Sequence, residues 1–333
     1  MGDDRRGEEM TAKERARIAM EGGKPDGLPT MEIVFELERE LTGRAYVLGK
    51  DLEPLRGSER ERALNENAEL YIRCARELGY SSITVHPAPT PWYIPGNNYY
   101  PTLEDELHVV RRIFREAGDE LYVAAGIDGT YAIPDGSGFE AFVWALADRP
   151  GEMKREARSR AEWAAEQMKR LIDAGAEIMY CCSDYCFNQG PFLSPAMFEE
   201  FIFPYLAYQT EELKKAGAYV IKHTDGNILP ILEMLIAAGP HVLHSIDPVA
   251  GMSMREVRKK ADGRIALMGN VDSTKLQTGD IPGIMESCRA AVEGSEAGGT
   301  VFSTCNSVFS GIGLEHYRVM LDFWKQHNKG AKQ

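Results

Sequence analysis

At 333 residues the chain is long enough to bury a large core, as one big domain or two ordinary ones. Its 44% hydrophobic and 27% charged residues are the proportions of a soluble globular protein. A formal net charge of −13 argues against nucleic-acid binding and against attraction to anionic membranes. No apolar run is long enough for a membrane span and the first residues are charged, so a cytoplasmic protein is expected.

Residues 1–10 are polar and expected to be flexible. Thr11-Ala12-Lys13-Glu14 has the spacing of a capping box and predicts a short N-terminal helical extension ending near Gly22-Gly23. From Pro29 onward apolar runs alternate with helical patterns. Strands are predicted over 30–36, 82–86, 121–127, 177–182, 218–223, 242–247, 265–270 and 300–304. Helices are predicted over 59–78, 104–117, 153–174, 195–216, 228–238, 254–261, 281–296 and 314–325, several followed by a C-capping Gly such as Gly79 or Gly217. This alternation predicts an α/β fold, a single (β/α)8 TIM barrel over 11–330. The strands read as continuous apolar runs such as Ile83-Thr84-Val85 and Val242-Leu243, as expected when both faces are buried. A doubly wound sheet would alternate likewise, but no Gly-x-Gly-x-x-Gly follows the first strand.

In such a barrel the chemistry gathers after the C-terminal ends of the strands. The residues there are Glu36, His86, Asp128, Ser183-Asp184-Tyr185, His223 with Asp225, Asp247, Asn270 with Asp272, and Cys305-Asn306. His223 and Asp225 close one apolar run and Cys305 closes another, so one mouth would gather an imidazole, a carboxylate and a thiol. Those donors can hold a zinc ion with an open coordination position; the competing reading is a polar rim with a buried thiol. Aspartates at strand ends also cap helices, and Asp128, before Gly129, reads as a turn residue. The cysteines follow no disulfide framework, so free thiols or ligands are expected. Cys181 and Cys182 alternate across a strand, so at most one faces the lumen, and Cys182 and Cys186 are weaker ligand candidates than Cys305.

Two loops carry rings. His86-Pro87-Ala88-Pro89-Thr90-Pro91-Trp92-Tyr93-Ile94-Pro95, with Tyr99 and Tyr100, is stiffened by prolines, and Tyr180, Tyr185 and Phe187-Asn188 surround the fourth predicted strand. Rings with a few polar groups suit a small aromatic ligand, or else pack a long loop onto the barrel.

Four segments resemble the uroporphyrinogen decarboxylase superfamily in order along the chain: Thr11–Pro29, Ser183-Asp184-Tyr185 through Pro195, His223-Thr224-Asp225-Gly226-Asn227, and Gly269-Asn270-Val271-Asp272. True decarboxylases of that superfamily carry an Arg-rich N-terminal loop for porphyrinogen carboxylates. Here the corresponding stretch, Phe35-Glu36-Leu37-Glu38-Arg39-Glu40, is acidic. The resemblance therefore falls on the corrinoid-linked methyltransferases, whose thiol-methylating members bind zinc through His-x-Cys and a distant Cys. This chain keeps His223 and Cys305 but has Asp225 between them. Asp184-Tyr185-Cys186-Phe187-Asn188 resembles members that demethylate methoxylated aromatic compounds.

The resemblance implies methyl transfer from such a compound to the corrinoid of a separate carrier protein, because the chain has no Asp-x-His-x-x-Gly cobalamin signature. Zinc on His223 and Cys305 would act as Lewis acid, with Asp225 as third ligand and Glu36 or a rim cysteine as its replacement. Without metal, His86, His223 or Tyr185 would protonate the leaving oxygen, and Asp225 would assist. Trp92, Tyr93 and Phe187 would sandwich the ring, Tyr180 and Asp184 would complete the pocket, and Asn188 would read a ring substituent. The competing readings are a metal-free decarboxylase, a barrel that only binds, and a methyltransferase with a quaternary amine donor. The tyrosine-rich loop and final helix are the segments available to a homodimer interface.

Overall fold

The computed structural model describes residues 9–92 and 101–330. Among these residues nine strands follow one another: β1 (Ser82–Thr84), β2 (Tyr122–Gly126), β3 (Ile178–Cys181), β4 (Cys186–Phe187), β5 (Gly190–Pro191), β6 (Tyr219–His223), β7 (Val242–Ser245), β8 (Ala266–Val271) and β9 (Thr300–Thr304). Seven form one curled parallel sheet in the order β1-β2-β3-β6-β7-β8-β9, while β4 and β5 make a small antiparallel hairpin. Helices fill the crossovers, as parallel neighbours require.

The strand expected over 30–36 does not form. That segment lies between the two edges of the sheet as irregular chain. Phe302 N–H donates to the Pro29 carbonyl at 2.9 Å and Ser81 N–H to the Thr30 carbonyl at 2.8 Å. Single bridges join Thr30 to Phe302 and Phe35 to Val308. Two features break a regular ladder here. Pro29 brings no N–H, and the Glu32 carboxylate takes the outward-facing Thr304 N–H at 3.1 and 3.2 Å, the donor that a ladder partner would have used.

Side-chain alternation then sorts the strands into two faces. Tyr122 and Ala124 of β2, Ile178 and Tyr180 of β3, Ile221 of β6, Val242 of β7 and Met268 of β8 share one inner cluster. The expected first helix, Ala12–Met20, carries the predicted capping box and adds Ala16, Ala19 and Met20 to that cluster, closing the N-terminal end. The intervening residues, such as Val123, Ala125, Met179 and Val220, pack against the surrounding helices in a larger outer cluster. Burial of a valine or methionine side chain there contributes on the order of 1.5–3 kcal/mol. Continuing the inner rows toward the C-terminal ends brings polar side chains into the lumen, and the site begins there. Among the described residues no helix is long and apolar enough to cross a membrane.

Candidate functional site

His223 and His244 are lateral partners in the ladder joining β6 to β7. Both are buried, and their Nδ1 atoms lie 2.8 Å apart. His244 Nε2 is 3.1 Å from the Thr304 carbonyl, which can only accept. His244 therefore carries its proton on Nε2 and offers a lone pair at Nδ1, and His223 donates its Nδ1 proton to that lone pair. Burial, with His223 adding, holds the His244 pKa well below the ordinary histidine value, so this ring stays neutral. With Nδ1 committed to His244, Nε2 is the His223 atom that faces the mouth, and in the neutral ring it carries the lone pair.

Two carboxylates face it. Asp184 Oδ1 lies 3.6 Å and Asp225 Oδ1 3.8 Å from His223 Nε2. These separations are too long for hydrogen bonds. They are close to the roughly 3.4 Å that separates ligands of a tetrahedral ion with bonds of about 2.1 Å. Asp184, His223 and Asp225 each offer one donor atom, all within 4.8 Å of one another. One unprotonated imidazole nitrogen and two carboxylate oxygens fit zinc or a similar divalent ion.

The surroundings hold Asp225 tightly. Ser245 Oγ donates to its Oδ1 at 2.8 Å, Asn306 Nδ2 donates to its Oδ2, and its own N–H donates to Asp184 Oδ1 at 3.1 Å. Ser245 reaches it because β7 ends with Ser245 and Ile246 at φ of 92° and 51°, sparsely populated conformations of the kind found at functional sites. Burial raises the Asp225 pKa above the ordinary carboxylate value, His223 opposing and Asp184 adding to the shift. Asp247 accepts the Gly226 N–H at 3.0 Å and fixes the turn after Asp225.

A cavity of about 430 Å3 opens beside this group. Its wall includes Glu36, Asp225 and Asp247, the apolar Val249 and Phe309, and Cys305; among the described residues none that lines it is a lysine or arginine. Cys305 is 5% exposed, with Sγ 3.7 Å from Ser273 Oγ. Burial pushes its thiol up to about 12.

The expected donors are therefore brought together only in part. His223 and Asp225 meet as spacing suggested. Asp184, expected as a substrate contact, takes the third place, while Cys305 and Glu36 line the adjoining cavity outside the group of three. Cys181 faces outward and accepts from Gln209 Nε2, whereas Cys182 is exposed on the inner row. Cys186 is buried. Tyr185 is wholly buried with its hydroxyl 2.6 Å from Thr130 Oγ1, which sets the phenol in the wall rather than at the mouth. Tyr180 is 3% exposed within the inner cluster. His86 contacts the Tyr71 hydroxyl, and burial lowers its pKa to about 4, so it is uncharged at neutral pH and no general acid there.

The expected ring sandwich is not assembled by the described residues. Trp92 stacks edge-on against Trp163 at 5.1 Å, with the Arg160 guanidinium 5.3 Å from its ring, on the outer helical layer. Phe187 is 47% exposed on the β4–β5 hairpin, and Asn188 sits exposed in its turn. Tyr93, like Tyr99 and Tyr100, lies outside the described residues. His244 was not among the expected site residues, although it had a signal, a histidine inside an apolar run at an inward position.

No curated protein matches the chain by sequence. Among solved structures, a methyltransferase from Methanosarcina mazei superposes with a TM-score of 0.74 at 15% identity, over 96% of this chain and 99% of that one. A B12-independent methionine synthase from Shewanella sp. W3-18-1, in complex with selenomethionine, gives 0.56 at 12% identity, over 91% and 97%. At such identities these likenesses concern the fold. The profile described as Uroporphyrinogen decarboxylase (URO-D) matches residues 107–327, well over half of the chain, and the protein belongs to that family.

Proposed function

We propose that the protein is a methyltransferase that moves a methyl group from a methoxylated aromatic compound to the reduced corrinoid of a separate carrier protein. The observation that carries this reading is His223 Nε2 facing two carboxylates at the edge of an open, acidic cavity. A site for decarboxylating a polyacid would need cationic side chains to hold the substrate carboxylates. Here Glu36, Asp225 and Asp247 line the cavity instead and would repel them.

His223, Asp184 and Asp225 would hold zinc, and zinc bound there supplies Lewis acidity to the oxygen that leaves the methyl group. The remaining work falls to the chain itself. His244 and Thr304 keep the His223 Nδ1 proton on the inner side, so Nε2 stays available at the mouth. Ser245 and Asn306 keep Asp225 aimed at the same point. Val249 and Phe309 offer apolar surface to the ring, and a free phenolic hydroxyl on the donor can donate to a wall carboxylate. As the methyl carbon passes to the corrinoid, the electron pair of its bond to oxygen remains on oxygen, which finally takes a proton. The corrinoid belongs to the partner, which would dock over this mouth.

The three wall carboxylates also favour a second donor class, a methylated ammonium compound, whose charge they would neutralise. One assay separates the readings. The protein is mixed with a reduced corrinoid carrier and a panel of guaiacol- and veratrol-type ethers, betaines and simple methylamines, and the visible spectrum of the corrinoid is followed. Methylation from the ethers supports the proposal, and methylation from ammonium donors alone replaces the donor class. Release of CO2 from an acid, with no methylation from any donor, would return the protein to the decarboxylases.

A further inference from the structure

Behind His223 lies an ion pair that the reaction just proposed does not use. Lys222 and His223 are neighbours on β6, so their side chains leave opposite faces of the sheet. His223 points into the lumen, while Lys222, with a wholly buried side chain, meets Asp128 Oδ2 at 2.9 Å on the other side. Its Nζ also stands 4.0 Å from the centre of the Tyr185 ring. Asp128 had read as a turn residue, and its Oδ1 does accept Thr130 N–H at 2.9 Å. Its other oxygen does something different.

Lys222 Nζ donates to the Ser183 carbonyl at 2.9 Å, and the Ser183 N–H donates to Asp128 Oδ2 at 3.0 Å. The pair thus grips both backbone polar groups of Ser183, the residue immediately before Asp184. Onward, the Asp184 carbonyl accepts Ile133 N–H at 2.9 Å, Tyr185 N–H donates to Thr224 Oγ1 at 2.9 Å, and the Tyr185 carbonyl accepts Phe192 N–H at 2.9 Å. The backbone around Asp184 is anchored on both sides, yet the Asp184 side chain itself is 45% exposed. Its Oδ1 accepts the Asp225 N–H at 3.1 Å, so its aim depends on that one contact and on where the anchored backbone places it.

A buried ion pair is a poor source of stability, because the cost of removing two charges from water roughly cancels their attraction. Well-packed apolar side chains would fill the same space with less conflict. What apolar side chains cannot supply is one donor and one acceptor for the same peptide residue.

We infer that Lys222 and Asp128 are positioning residues that set Asp184 opposite His223 Nε2, and so determine how tightly the site holds its metal. The inference rests on the zinc reading above and is tested apart from it. Zinc affinity is measured by competition with a chromophoric chelator, and the geometry by the visible spectrum of the cobalt-loaded protein, for wild type, His223→Ala and Lys222→Met/Asp128→Asn. The double variant carries no unpaired buried charge, and its thermal midpoint is recorded alongside. Asp128→Glu keeps both charges and displaces the carboxylate by one methylene, which covers the case in which the double variant does not fold.

The expected result is a zinc affinity at least tenfold weaker in the double variant, several-fold weaker in Asp128→Glu, and an altered cobalt spectrum in each folded variant. In an Asp184→Ala background the same changes should add nothing, because the pair acts through Asp184. A folded double variant with wild-type affinity and spectrum would overturn the assignment. So would an equal loss in the Asp184→Ala background, which would make the pair a general structural support. Wild type that binds no zinc, or binds it equally after His223→Ala, would instead refute the metal reading itself.

Discussion

The proton order along Thr304, His244 and His223 decides whether the mouth presents a lone pair or a donor. Replacing His244 by Phe keeps a ring in the core but removes both of its hydrogen-bonding atoms. We expect zinc affinity to fall by about 10–100-fold and stability by about 1–3 kcal/mol, from the groups left unpaired. Chelator competition and thermal denaturation would read the two effects separately. His86 makes a different prediction. Its folded pKa of about 4 lies below the ordinary 6.5, so between those values the unfolded chain binds more protons than the folded one. Stability should therefore rise with pH through that window, be complete above 6.5, and be lost as pH falls toward 4. His86→Gln should flatten this slope in thermal midpoints recorded between pH 4.5 and 7, and an unchanged slope would assign it to other groups. At this scale the sequence was legible where one strand supplied both partners, as in His223 and Asp225. Asp184 entered the site from another crossover, and its aim depends on Lys222 and Asp128, whose pairing no local spacing reveals.

Among the elements, the turn after β6 is the most constrained. Gly226 has φ of 82°, and a Cβ there would stand 2.4 Å from the Cys186 carbonyl oxygen of the β4–β5 hairpin. Gly226→Ala combines a left-handed strain of about 1–2 kcal/mol with a backbone clash, so it should lower the thermal midpoint and weaken zinc binding together. An alanine variant with native stability and affinity would show that the turn and hairpin can separate freely. The apolar runs and Gly-ended helices located the crossovers and seven of the strands, because both signals are local. The run over 30–36 misled because its pairing is decided by Glu32 claiming Thr304 N–H, a contact across 272 positions. Trp92 and Tyr185 depart from the expected pocket for a related reason. Rings report burial, and Trp92 and Tyr185 spend theirs on Trp163 and on the wall of the barrel.

For the whole molecule, the curled parallel sheet delivers inner rows of apolar side chains below and polar ones above, and the acidic mouth follows from where those rows end. Central to the proposed chemistry is that His223, Asp184 and Asp225 together hold the divalent ion of this mouth. Crystals of the zinc-loaded protein measured on either side of the zinc absorption edge test it most directly. The account predicts one anomalous peak per chain, about 2.0–2.2 Å from His223 Nε2 and from an oxygen of each aspartate. A peak bonded to Cys305 Sγ and lacking Asp184, or no peak within reach of His223, would contradict it.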